Sequence, residues 1–162
     1  MILDAALAAA AALACVIFAA WIYRFNEVPL DVPLAYSGDA LYYGALIKGV
    51  IENGWYLHNP SLGAPFGLDM GPFPMSDNTH FAMLWLIGLF TDEFGSALNV
   101  FYLTSFATAA ISAFVSMRWM GLNRLFSLCG AILYSLQAYH FLRGGHLFLA
   151  SYFCLPIFSA FA

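Results

Sequence analysis

Asp39, in the stretch YSGDALYYG over residues 36–44, is a carboxylate set among tyrosines at the mouth of a predicted helix. Two chemistries suit it. From a first helical turn it complements the helix dipole, an effect worth about 0.3–1 kcal/mol. As a general base it abstracts the proton of an acceptor hydroxyl that comes within about 3 Å. Tyr36, Tyr42 and Tyr43 are suited to walling a sugar site, and equally to anchoring a helix at a membrane surface. Lys48 belongs to the polar face of the same helix. It is a candidate phosphate contact, or a lysine whose stem lies along apolar surface with its ammonium in water.

A second polar set is Asp69, Asp77 and His80. His80 opens an apolar segment, and Asp77 or Asn78 before it can cap a helix. The functional alternative is a polar wall of a substrate cavity, or a site for one divalent cation. A cation needs several converging oxygens or imidazoles, and the linear spacing gives no such convergence. The third set is Arg143 with His140 and His146, in YHFLRGGHL. Ionisable groups at membrane segments are costly and are functional hypotheses by default, and arginine suits bidentate phosphate contact. A positive-inside anchor with interfacial histidines is the plainer alternative. Gly144 and Gly145 permit close backbone approach. The chain holds no G-x-x-x-x-G-K-[ST], G-x-G-x-x-G, H-E-x-x-H or G-x-S-x-G pattern, so ATPase, dinucleotide, zincin and serine-hydrolase readings lack support.

The composition says where these residues must work. Of 162 residues, 63% are hydrophobic and 9% charged, with mean hydropathy +0.81, whereas soluble domains carry about 25% charged residues. Too few charges exist to cover a water-soluble globule, so the chain reads as an integral membrane protein. Five Lys and Arg against nine Asp and Glu leave no basic patch for nucleic acid. Cys15, Cys129 and Cys154 all lie in apolar runs and read as small buried hydrophobes.

The elements follow from hydropathy. Residues 2–23 form an apolar run with Asp4 near its start and Trp21 and Tyr23 at its end, read as a signal-anchor helix. Residues 24–78 hold six of the nine acids and six of the seven prolines, which marks a long non-cytoplasmic loop. Within it, 39–53 has helical period: Tyr43, Leu46, Ile47, Val50 and Ile51 share one face, and Gly44, Lys48 and Glu52 the other. Ser37 is the predicted N-cap and Gly54 the predicted stop. Such a helix would lie flat in the interface, apolar side on lipid. Further apolar segments cover 78–91, 97–117, 125–142 and 147–162, the last ending without cap or charge. The predicted fold is all-α: a polytopic transmembrane bundle of about five segments, read as the N-terminal part of a longer chain.

This layout, with "GD" and an aromatic early in an acidic loop, IENGWYLHNPSLGAPFG, PFPMSD, HFAMLWLIGLF…FGSALNV and FATAAISAFVSMRWMGLNR, resembles the N-terminal part of GT-C superfamily membrane glycosyltransferases. Protein O-mannosyltransferases and aminoarabinose transferases belong to that group. The resemblance covers residues 1–145 and rests on layout and loose wording. It implies a multi-pass protein of a bacterial inner (plasma) membrane that is an enzyme in full-length form, this stretch alone being inactive. Its partners would be membrane lipid, a polyprenyl-phosphate sugar donor and a lipid, glycan or protein acceptor. Asp39 would be the base, although many members have paired acids there and Asp39 is followed by Ala40. Tyr42, Tyr43, Lys48, Asp77, His80, Arg143 and His146 would line the substrate site. Arg143 or Lys48 would offset charge on the leaving phosphate. No nucleotide cofactor is required, and a divalent cation is compatible with the scheme.

Two other classes share the composition: a multi-pass transporter or flippase for lipid-linked sugars, and a non-catalytic membrane scaffold. Topology divides the readings further. With the N-terminus inside and every segment crossing, as the resemblance favours, RWMGLNR falls outside, against the positive-inside bias. Were 81–90 re-entrant, RWMGLNR would fall inside and RGGH outside.

Overall fold

The computed structural model describes residues 2–72 and 78–162. It is mostly helical: α1 (Ile2–Ile22), α2 (Asp39–Asn53), α3 (Asn78–Gly88), α4 (Phe94–Trp119), α5 (Arg124–Ser135), α6 (Ala138–Phe141), α7 (Leu147–Ala150) and α8 (Cys154–Phe161). One antiparallel pair, β1 (His58–Asn59) with β2 (Leu68–Asp69), joins His58 to Asp69 and Asn59 to Leu68. Packing divides the chain into two compact units, Met1–Pro29 with Tyr102–Ala162, and Leu30–Phe101.

In the first unit, α1 turns its smallest residues inward. Ala8, Ala11, Ala12, Cys15 and Ala19 are buried, while Leu13, Ile17, Phe18 and Trp21 are exposed. Small side chains let helix backbones approach closely, and here Ala8 packs with Ala113, Phe114 and Ala131. The α5 face repeats the device with Ser127, Ala131 and Ser135, and Ser135 Oγ donates to the Phe106 carbonyl at 2.8 Å.

The two ends of α1 are tied by polar groups. Asp4 accepts from Arg118 Nε at 3.0 Å and Arg124 Nε at 2.9 Å. At the other end, Tyr23 Oη lies 2.8 Å from Tyr102 Oη and donates to the Phe141 carbonyl at 3.0 Å. Thus α4 runs antiparallel to α1, and the α5–α6 stretch runs parallel to it. That stretch is broken: α5 stops at Ser135, Leu136 and Gln137 leave the helical path, and α6 restarts at Ala138. Cys129 is exposed, contrary to the reading of all three cysteines as buried, because it stands on the face of α5 that also presents Leu125, Phe126 and Leu133.

Two helices, α1 and α4, are long and apolar enough to cross a bilayer. At 1.5 Å per residue they reach about 31 and 39 Å, against about 30 Å of hydrocarbon. Among the described residues the other helices are shorter; α3, with 11 residues, reaches about 16 Å.

In the second unit, α2 packs on α3. Leu46, Ile47 and Val50 of α2 are buried, as are Phe81 and Leu84 of α3. Gly88 of α3 comes against Ile51, and Gly44 lies on the Phe94 ring. The apolar face of α2 is therefore covered by protein, where the sequence predicts lipid; α3, close by in the chain, supplies the cover. Tyr56 stacks on Phe81 at 3.8 Å and donates to Asn78 Oδ1 at 2.9 Å, fixing the start of α3. Gly54, at φ +88°, ends α2 and donates its N–H to the Val50 carbonyl. Gly38 takes the N-cap position, with no side-chain cap, in place of the predicted Ser37.

Candidate functional site

Asp39 opens α2 and is exposed. One turn on, Tyr43 shares its side of the helix, and the Tyr42 and Tyr43 rings lie 5.8 Å apart in a tilted arrangement. Burial raises the Tyr43 pKa above the usual phenol value; the Asp39 carboxylate and then Tyr42 raise it further, because a second negative charge is disfavoured there. A different side of α2, carrying Ala40, Gly44 and Lys48, faces a groove of about 540 Å³ that Tyr36, Leu41 and Phe94 also line, among others. The Lys48 ammonium sits 3.7 Å from Glu52 Oε1, both side chains more than half exposed. Such a pair contributes little in water, so the ammonium remains available to an anion entering the groove.

What holds this site lies upstream. Asn99, fully buried on α4, uses its whole amide: Nδ2 donates to the Leu30 and Val32 carbonyls, each at 2.7 Å, and Oδ1 accepts from Leu34 N at 3.1 Å. One turn earlier, Gly95 lets the backbone lie directly on α4, since a Cβ there would overlap the Asp31 carbonyl oxygen. Residues 31–34 are thereby pinned immediately before Asp39. Sequence reading passed over Gly95 and Asn99 because a buried amide that serves a segment 65 positions away leaves no local pattern.

The remaining predicted site residues fall elsewhere. His80 is buried on α3, its ring edge-on to Phe101 at 5.9 Å. It is thus a packed histidine in this arrangement. Asp77 lies outside the described residues. Asp69 accepts from Gly71 N at 2.9 Å, a local turn contact. Among the described residues no three His, Cys, Asp or Glu side chains converge as a metal site. Asp39, Tyr42 and Tyr43 are the predicted site residues that the start of α2 brings together; Lys48, nine residues beyond Asp39, stands on the opposite side of the helix.

Arg143 and His146 belong to the first unit, both half-buried. The Arg143 guanidinium carbon stands 4.8 Å from the centre of the Tyr139 ring, a cation–π contact. His140, grouped with them by sequence, is fully buried and stacks on Phe106 at 3.6 Å. Its Nδ1 is 2.9 Å from the Ser135 carbonyl and its Nε2 2.7 Å from Ser105 Oγ. A carbonyl only accepts, so Nδ1 carries the proton in the neutral ring, and Nε2 shares the Ser105 hydroxyl proton with the Tyr102 carbonyl, which Ser105 Oγ meets at 2.5 Å. This is the order of a nucleophile, a base and an orienting group, yet Ser105 and His140 both have 0% exposure. With no path for a substrate, the trio is a polar tie between α4, α5 and α6. Tyr102 strengthens it by donating to the His140 carbonyl at 2.8 Å.

No protein-family model, curated protein or solved structure matches this chain.

Proposed function

We propose that this chain is an integral, multi-pass membrane protein that transfers a sugar, on the outer face of the membrane, from a polyprenyl-phosphate donor to a hydroxyl of a lipid, glycan or protein acceptor. The observation that carries the reading is the start of α2. There an exposed carboxylate, Asp39, immediately precedes Ala40, which with Tyr36 and Lys48 lines a groove. Multi-pass insertion draws support from the lengths of α1 and α4. The α5–α6 stretch supports it too, since Arg124 and Phe141 reach opposite ends of α1.

In this mechanism Asp39 takes the acceptor's proton as the acceptor oxygen bonds to the anomeric carbon. The bond from that carbon to the phosphate oxygen breaks, its electron pair leaves with the phosphate, and the anomeric centre inverts. A cation is needed to offset the charge growing on the departing phosphate, and Lys48, which lines the groove, is one candidate. Arg143 and His146 stand as separate candidate phosphate contacts.

The test is Asp39→Asn in the full-length protein reconstituted in liposomes, with a panel of radiolabelled polyprenyl-phosphate sugars. Loss of a general base lowers turnover by about 10²–10⁴-fold, with the unfolding midpoint unchanged. A flippase or scaffold reading predicts no covalent transfer in the parent protein and little response to the substitution. Full transfer activity in Asp39→Asn would refute the assignment of the base.

A further inference from the structure

We infer that α3 does not cross the membrane but rests in the outer leaflet, its exposed apolar face against lipid, with both of its ends on the side opposite Asp4. The inference rests on the multi-pass reading above. It starts from the two tied ends of α1. If α1 crosses, Asp4 and Tyr23 stand on opposite sides. Arg118 and Arg124 pair with Asp4, so the 118–124 turn shares the side of Asp4. Tyr102 and the Phe141 carbonyl meet Tyr23, so they share the other.

The chain between Tyr23 and Tyr102 therefore departs from one side and returns to it. Its number of crossings is even. Within it, α2 carries Asp39, Lys48 and Glu52, and α3 is the other helix among the described residues. A single crossing by α3 is thus excluded, and its reach of about 16 Å would cover only half of the hydrocarbon. The orientation follows the acidic loop, which holds six of the nine acids and is placed outside; Arg24, Lys48 and Arg143 share that side, and Arg118 and Arg124 share the side of Asp4. This proposal departs from the expectation that every apolar segment crosses, and the ion pairs of Asp4 are what support the departure.

The exposed face of α3 specifies what covers it. Trp85, Leu86, Leu89 and Phe90 are exposed, Phe90 at 90%, and no charged residue occurs from Asn78 to Thr91. Asp92 and Glu93 follow and mark the water boundary, and at Phe94 the chain starts α4, which enters the bilayer. Leu89 and Phe90 therefore sit within a few residues of the headgroups by covalent connection alone. An apolar helix at that depth lies in the plane of the interface, buried by about 5–10 Å. Its last turn is closed by Leu89 N to Leu86 O and Phe90 N to Ile87 O, so few backbone groups are left to water. A cleft of about 690 Å³ lined by Leu30, Ile87, Phe90 and Val100, among others, opens beside it. Its apolar lining suits an acyl chain.

The test uses the full chain with Cys129 and Cys154 replaced by alanine and single cysteines introduced as Ser61→Cys, Asp92→Cys or Met120→Cys. A membrane-impermeant maleimide should label the first two in intact cells to the extent seen after lysis, and the third only after lysis. Labelling of Ser61→Cys and Asp92→Cys from opposite sides would overturn the inference while leaving the membrane reading intact. A nitroxide on Leu89→Cys in liposomes should collide with oxygen more than with a water-soluble nickel chelate. The reverse order, or protection from both, would replace lipid by water or by a protein partner and overturn the proposal. Release of the chain by alkaline carbonate would overturn the membrane reading itself, and this inference with it.

Discussion

Asn99→Leu isolates the device that positions the start of α2. Leucine has the branching and the number of side-chain heavy atoms of asparagine, so the core around α4 stays filled while the amide is removed. Three hydrogen bonds disappear: two donated to the Leu30 and Val32 carbonyls and one accepted from Leu34 N. At about 1 kcal/mol net for each, the loss is about 3 kcal/mol, and more where a freed backbone group stays away from water. The cost falls on residues 30–34, the segment that delivers Asp39. Thermal unfolding of the detergent-solubilised protein should show a lower midpoint. Hydrogen exchange should show lost protection at Leu34 N–H, with little change across β1 and β2. Gly95→Ala, which intrudes on the Asp31 carbonyl from one turn away, should loosen the same segment without touching the amide. If Asn99→Leu leaves both the midpoint and the Leu34 exchange unchanged, the amide does not hold this segment, and the account of how Asp39 is positioned is wrong.

Two further outcomes test the charges. Burial and the Asp39 carboxylate raise the Tyr43 pKa, so the stability this phenol contributes is fully present below its ordinary value of about 10 and is lost as pH climbs through the raised value. Asp39→Asn removes one negative neighbour, and Tyr43 should then ionise at a lower pH, read as tyrosinate absorbance against a Tyr43→Phe control; an unchanged titration would separate the two side chains. Asp4→Asn should lower the unfolding midpoint, with a smaller drop at high salt because Arg118 and Arg124 are partly exposed. In a double-mutant cycle with Arg118→Gln the effects should be non-additive, and strict additivity would show that the crossed pair contributes nothing.

Some of this architecture is written in short stretches of sequence and some is not. The helix over 39–53 is legible because its apolar period runs up to a glycine that can take φ +88°. Residues 2–22 and 94–119 are legible as uninterrupted apolar runs. The break at Leu136–Gln137 is not, since neither residue is a helix breaker and no Gly or Pro stands near it. There the tertiary tie of His140 to Ser135 and Ser105 takes the place of one continuous helix. The burial of α2's apolar face was equally hidden: an amphipathic pattern says that a face needs cover, not whether lipid or protein supplies it. For the candidate site, the local group of Asp39, Tyr42 and Tyr43 was readable, while its support at Asn99 and Gly95 was not.

Asp4 shows how one costly residue organises a larger region. A carboxylate in the first turn of a 21-residue apolar helix gains from the helix dipole, but near hydrocarbon it still demands a counter-charge. The counter-charges come from Arg118 and Arg124, 114 and 120 positions away. Neither a hydropathy scan nor a charge count pairs these residues, because each sees the three as separate features at the ends of separate runs. Once paired, they set the direction of α4 against α1, so that wherever α1 crosses a bilayer Tyr23 and Tyr102 share one side.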